Sequence, residues 1–393
     1  MQVNLKNHNA VQAVIYTILV SKFRFRFMTK FTSVAAGLCL FLSVSSELNA
    51  QVVGGQRAFE YLRLSNSPHV TALGGMAPAS LDQDVTFTLQ NPSLLNPRYH
   101  NQLAVAYNAY YAGISVANLQ YAYHVEPLKT DFGFGVQYLN YGSFNNTDIQ
   151  GNNLGNIRAS DYSINLSASR QYLENWRYGA TLKWAHSNLG DRSAMAVLAD
   201  VGISYEDTVR KWSIGVVAKN MGVMVKQYNP DNAAEPLPFD LQIGVSKQLE
   251  NIPLRLYVVG HHLYEWDIRY NNPADKVSNS LTGEDEDDSD KTYFVDKLFR
   301  HLNFGAELIL GKRLTITAAY NHLRRSELGV TDVKKTAGFS FGAGLNLNKL
   351  QVRYARSYYA SAGAYNELGL SFQLNKFFGI GKKTEPWGWD KTY

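Results

Sequence analysis

The chain has 393 residues and a formal net charge of +5, with 18% charged residues against 25 tyrosines and 19 phenylalanines. Four of those five positive charges belong to the first 50 residues, where Lys6, Lys22, Arg24, Arg26 and Lys30 face one acid, Glu47; the remainder is close to neutral, which excludes nucleic acid as a partner. The single cysteine, Cys39, lies in the same leader, so the rest of the chain holds no disulfide, thiol nucleophile or cysteine metal site.

Residues 28–50 read as a secretory signal peptide: Lys30 after Met28, an apolar run from Val34 to Val44, and a cut near Ala50–Gln51. Leu38 before Cys39 argues against a lipoprotein anchor, which wants a small residue there. Residues 1–27, with their own apolar run Val11–Val20, read as an extension from an over-called start. The leader, 1–50, is set apart from the fold. Residues 51–100 differ from all that follows: AFEYLRLSNSPHVTALGG and NPSLLNP suggest short helical and irregular pieces, a plug segment for a barrel mouth.

From 101 to 374, alternation repeats. Strands are expected at 102–111, 113–125, 130–141, 158–170, 175–187, 194–206, 210–220, 238–248, 252–264, 302–310, 313–322, 337–346, 349–358 and 365–374. Successive side chains of a strand point to opposite faces. Trp176, Tyr178, Ala180, Leu182 and Trp184 therefore share one face, and Arg177, Gly179, Thr181 and Lys183 the other. No helical segments intervene to cover the apolar face, so that face meets lipid. The connections sort by parity. Those at 126–129, 171–174, 207–208, 250–251, 311–312 and 348 are short; 142–156, 221–237, 264–301 and 323–336 are long. Outer-membrane barrels have short periplasmic turns and long external loops, whereas a soluble sandwich has no cause to sort its loops. The expected fold is all-β: a membrane β-barrel of about 14 antiparallel strands, closed because an open edge in lipid leaves amides unpaired. Residues 375–393 follow it as a periplasmic tail.

Chemical motifs are sparse. The acidic run 284–290, which contains Asp285, Asp287 and Asp288, sits in the longest loop; it lacks the Gly and terminal Glu of an EF-hand and reads as a solvated loop rather than a calcium site. His261 and His262 are adjacent on an expected strand and so face opposite sides, which excludes joint chelation. No GxSxG elbow appears. Arg177, Lys183, Arg255, Arg313 and Arg353 are expected in the lumen or against the plug, since a lipid-facing Arg or Lys at midplane costs about 2–4 kcal/mol. No catalytic, cofactor or metal residue is expected.

Several stretches carry a resemblance: AFEYLRLSNSPHVTALGG (58–75), NPSLL (91–95), YLNYGSF (138–144), EPLPFDLQIGVSKQLE (235–250), HHLYEWDIRY (261–270), RHLNFGAE (300–307), NHLRRSELG (321–329) and VRYARSYYASAG (352–363). Together they make 51–374 resemble the PorQ family, outer-membrane barrels of the type IX secretion system of Bacteroidota, themselves similar to the long-chain fatty-acid transporter barrels. The resemblance implies fourteen strands with an N-terminal segment inside. It implies a non-enzymatic role in a cell-surface attachment complex, with PorZ as the anchored partner and, through it, PorU and PorV, near lipopolysaccharide and in the outer membrane of a Bacteroidota-type cell. The contact candidates are the long loops 221–237 and 265–301, with Val223, Met224 and Tyr228 for apolar contact and Asp285, Asp287 and Asp288 for charge. The alternative is an outer-membrane transporter for hydrophobic small molecules.

Overall fold

In a computed structural model of the chain, the described residues are 57–378 except 149, 232–234, 269–293, 312, 328–335 and 361–362. The leader and the tail beyond 378 lie outside them, as does the acidic run with Asp285, Asp287 and Asp288.

Fourteen antiparallel strands close on themselves. They are β1 (Gln102–Ala109), β2 (Ser115–Val125), β3 (Thr130–Thr147), β4 (Asn153–Leu173), β5 (Trp176–Leu189), β6 (Arg192–Asp207) and β7 (Trp212–Lys226). The second half comprises β8 (Asp240–Gln248), β9 (Leu254–Gly260), β10 (Leu302–Leu310), β11 (Leu314–Asn321), β12 (Phe339–Asn346), β13 (Leu350–Ala360) and β14 (Gly363–Gln373). Each strand pairs with its sequence neighbours, and the ring shuts where β1 meets β14 in register from Gln102↔Gln373 to Ala109↔Asn366. Closure leaves no edge in the hydrocarbon, where each unpaired backbone group would cost several kcal/mol.

The outward rows are apolar. Leu166 and Leu182 are 56% exposed and Leu368 51%, alongside Phe132, Phe134, Val201, Ile203 and Ile316. Aromatic rings mark the rims. Trp176, Tyr205 and Trp212 stack edge to face at 5.1 and 5.5 Å near the short turns, and Tyr320 lies 5.0 Å from Phe339 at the opposite rim. An apolar belt between aromatic girdles on a closed sheet is the outer-membrane architecture, and the chain resides there. Among the described residues, no helix is long and apolar enough to cross a membrane. Inward rows are polar or small: Ser163, Asn165, Ser167 and Ser169 on β4 are all buried.

The long connections, 227–239, 261–301 and 322–338, share one rim, the external one by the loop-length rule. The expected loop 142–156 is a correction. β3 and β4 continue as a paired hairpin to Thr147 and Asn153, with register shifts after Asn140 and Asn146. β7 likewise runs on to Lys226, past a positive-φ Asn220 that shifts its register against β6. Above the belt both faces meet water, so pairing persists where alternation fades. The barrel is therefore taller along β3–β7 than along β8–β12.

Candidate functional site: the plugged lumen and its external rim

Residues 57–101 fill the lumen from end to end. At the external rim, the Ala58 amide donates to the Pro236 carbonyl at 3.1 Å, and Arg57 donates to the Tyr264 hydroxyl at 2.8 Å. At the other end, Arg98 pairs with Glu206 at 2.6 Å beside a short turn, and the Asn101 amide donates to Ala122 at 2.8 Å.

The local form of the plug follows from its prolines. Ser67-Pro68, Asn91-Pro92 and Asn96-Pro97 each start a short helical turn: the side chain before Pro accepts from the backbone amide of Val70, Ser93 and Arg98 respectively. Pro occupies a position whose N–H would be unpaired anyway. The first of these turns is α1 (Pro68–Ala72). The barrel wall makes room with glycines. A Cβ at Gly369 would stand 2.8 Å from the Pro68 ring, one at Gly244 2.7 Å from Pro78, and one at Gly179 2.6 Å from the Pro92 carbonyl carbon.

Charge locks the plug to the wall. His69 on α1 is fully buried; its Nδ1 lies 3.1 Å from Asp84, and its Nε2 lies 3.2 Å from Asp82 and 3.1 Å from Glu307 of β10. Arg255 of β9 reaches Asp82 at 3.0 Å and Glu307 at 3.1 Å, and Arg353 of β13 reaches Asp84 at 3.3 Å. Thr71 donates to Glu367 of β14 at 2.5 Å. Burial alone would raise both plug carboxyls; Arg255 and then His69 hold Asp82 below its ordinary range, and the His69 hydrogen bond with Arg353 does the same for Asp84. Burial and Arg353 disfavour a charged His69, yet its hydrogen bonds to Asp84 and Glu307 raise it above the ordinary imidazole value. With His69 protonated, three carboxylates face three cations, and the cluster is neutral.

His69, Asp82 and Glu307 present donor atoms within 4.8 Å of one another, the spacing of a metal site. Arg255 already bridges the two carboxylates, so a cation there would meet a guanidinium; the donor set fits an ion-pair lock. Sequence reasoning missed this cluster. His69 and Glu307 are 238 positions apart, and no spacing motif links them.

Two other charges expected in the lumen are also paired. Arg177 of β5 pairs with Asp131 and donates to the Leu95 carbonyl at 3.1 Å, and Lys183 pairs with Asp200 at 2.6 Å. Arg313 is a correction: it is exposed in the turn before β11, because the strand begins one residue later, at Leu314. His261 and His262 are a second correction. The chain has already left β9, His262 adopts φ +54°, and the two Nδ1 atoms face each other at 2.6 Å. Burial, followed by Arg63 and Arg57, lowers His262 to about 3.

At the external end the plug is apolar. Phe59, Tyr61 and Leu62 pack against Leu139, Leu198 and Ala196, with Met224 and Tyr228 partly covering them. The contact candidates therefore divide. Val223 is on β7 facing outward, 66% exposed. Met224 is on β7 facing inward. Tyr228 donates its hydroxyl to Ser187.

No protein-family model matches the chain, and no curated protein matches it. Among solved structures it is similar to the toluene transporter TodX of Pseudomonas putida, at 12% identity over 78% of this chain and 97% of that one, with a TM-score of 0.45. It is also similar to CdiB from Acinetobacter baumannii, at 12% identity over 69% and 59%, TM-score 0.33. A third is the outer membrane phospholipase A of Escherichia coli, at 10% identity over 70% and 96%, TM-score 0.26. These likenesses carry no argument about function.

Proposed function

We propose that the chain is a non-enzymatic anchor: a sealed outer-membrane barrel that holds a soluble surface partner at its external rim. The resemblance of several stretches to the PorQ family is what supports PorZ, and through it PorU and PorV, as that partner. The observation that carries the reading is the obstructed lumen. A plug tied to the wall by buried ion pairs at Asp82, Asp84 and Glu307 stiffens the barrel beneath that rim, as a support requires. The long connections and the raised β3–β4 hairpin gather at one rim, which supplies a docking face.

The test is an affinity pull-down of the tagged chain from solubilised outer membrane. A large soluble surface protein is expected to co-purify. It should be lost from a variant lacking 229–234 and 269–293 whose barrel still folds. Retention of the partner by that variant, or no partner at all, would overturn the reading.

A second reading, a transporter for hydrophobic small molecules, is supported by the apolar cluster of Phe59, Leu62 and Leu198 at the external end of the plug. Leu189, 53% exposed, stands at its rim on the inward face of β5. Saturable binding of a radiolabelled aromatic hydrocarbon that competes with Phe59 packing would favour it over the anchor.

A further inference from the structure

One external helix turns its apolar side away from the protein. Helix α2 (Phe294–Arg300) carries Phe294, Val295, Leu298 and Phe299 on one side and Asp296, Lys297 and Arg300 on the other, the split that helical spacing produces. In an ordinary surface helix the apolar side is the buried one. Here the order is inverted. Phe294 is 66% exposed and Val295 58%, and Leu298 and Phe299 are exposed with them. The polar side is the one that grips the barrel. Lys297 pairs with Asp267 at 2.8 Å. Asp296 lies 3.3 Å from His322, and Arg300 pairs with Glu327, both on α3 (His322–Glu327).

The exposed side is continuous with the lipid-facing wall. The Phe299 ring lies 6.2 Å from Phe304 of β10, and Phe304 stands in the outward row with Val258 and Tyr320. Leu263, 46% exposed, lies over the outer face of Gly260 beside Ile243 of β8. Trp266 adds an exposed ring 5.2 Å from Phe294.

The strands beneath are short. β9 has seven residues, and β11 and β12 have eight each. At about 3.3 Å per residue and a tilt of about 40°, they rise about 18–20 Å, against an apolar band about 25 Å tall. The strands β3–β7, with 14 to 21 residues, have length to spare. A wall shorter than the hydrocarbon leaves a mismatch that a flanking apolar segment fills.

We propose that α2, with Leu263 and Trp266, is an interfacial anchor that lies in the outer leaflet and faces the acyl chains of the surrounding lipid. It completes the apolar belt on the side where the strands stop early. This inference stands apart from the partner-holding role: it assigns one sector of the external rim to lipid, whatever protein binds the others.

The only cysteine, Cys39, belongs to the leader, so single cysteines in the processed chain report cleanly. Val295→Cys and Leu298→Cys, each carrying a nitroxide, are measured in phosphatidylcholine vesicles with no other protein present. The references are Leu166→Cys in the belt and Asp191→Cys, exposed at the β5–β6 turn. Molecular oxygen, which partitions into lipid, should relax the spin at 295 and 298 more than a water-soluble nickel chelate does, as at 166; at 191 the order should reverse. Shortening the acyl chains from oleoyl to lauroyl should lower the oxygen preference at 295 and leave that at 166 unchanged. Nickel relaxation dominating at 295 and 298 would mean a face turned to water and open to a protein, and would overturn the proposal. So would an oxygen preference at 295 indifferent to chain length, the mark of a pocket walled by protein.

Discussion

Arg255, on the barrel wall, lies 3.0 Å from Asp82, on the plug, and the same guanidinium nitrogen lies 3.1 Å from Glu307 on the neighbouring strand. One cation thus ties the lumen's filling to two strands of its container. Removing it leaves Asp82 and Glu307 with His69 as their one remaining cationic partner among the described residues, a loss of about 3–5 kcal/mol. Arg255→Met should lower the urea midpoint of the barrel and raise the frequency of current steps in planar bilayers. Arg255→Lys, which keeps the charge but loses the fork geometry, should fall between the two.

The glycine facing Pro92 predicts a steric effect. A methyl at Gly179 meets backbone rather than a yielding side-chain tip. Gly179→Ala should cost about 1–3 kcal/mol through overpacking and expose the 91–95 segment to protease. Gly260→Ala is the control. Its added carbon meets only side-chain tips, Ile243 Cγ2 at 3.3 Å and Leu263 Cδ2 at 3.5 Å, and the protease pattern should not change.

His69 predicts a pH response of known sign. Its folded value is raised, so the stability contributed by the charged ring is complete below the ordinary imidazole value of about 6.5. That contribution is lost as pH climbs through the folded value. The plug should therefore loosen on the alkaline side, seen as a falling urea midpoint or rising bilayer current from about pH 6.5 upward. His69→Asn should flatten this profile. His262, held near 3 by burial and by Arg63 and Arg57, should remain neutral throughout, so His262→Gln should leave the profile's shape unchanged.

Phe59 packs the external end of the plug. It is 5% exposed and sits in the hydrophobic cluster with Leu62 and Leu198. Phe59→Ala should cost about 3–5 kcal/mol and admit an environment-sensitive hydrophobic dye at the external end. The midplane lock would stay intact, so bilayer current should remain low. Current as high as that of Arg255→Met would mean that the two halves of the plug open together.

Strand number and facing were legible because period-two alternation is imposed wherever one side meets lipid and the other meets the lumen. Leu166 and Ser167 are an example: adjacent in sequence, one exposed and one buried. Where that contrast ends, the signal ends. Residues 142–147 and 153–157 continue as strand with polar residues on both faces, and they read as loop. Arg313 failed by an offset of one residue at a turn. The His69 lock was illegible for another reason: it joins α1, the following plug segment and three distant strands, and sequence spacing holds no record of contacts that only ring closure creates. Val223 and Met224 illustrate both limits. They are neighbours taken as loop, but they stand on a strand, one exposed on the outer face and the other turned to the apolar cluster inside.

The segment 57–101 begins beside Tyr264 at one rim and leaves beside Ala122 at the other, so the polypeptide is threaded through its own hoop. Order of assembly follows from this. The seam between β1 and β14 joins the first strand to the last, and if it zips before the leading segment is in place, that segment is stranded outside a shut ring. Productive insertion must therefore lay down the thread first and draw the hoop around it.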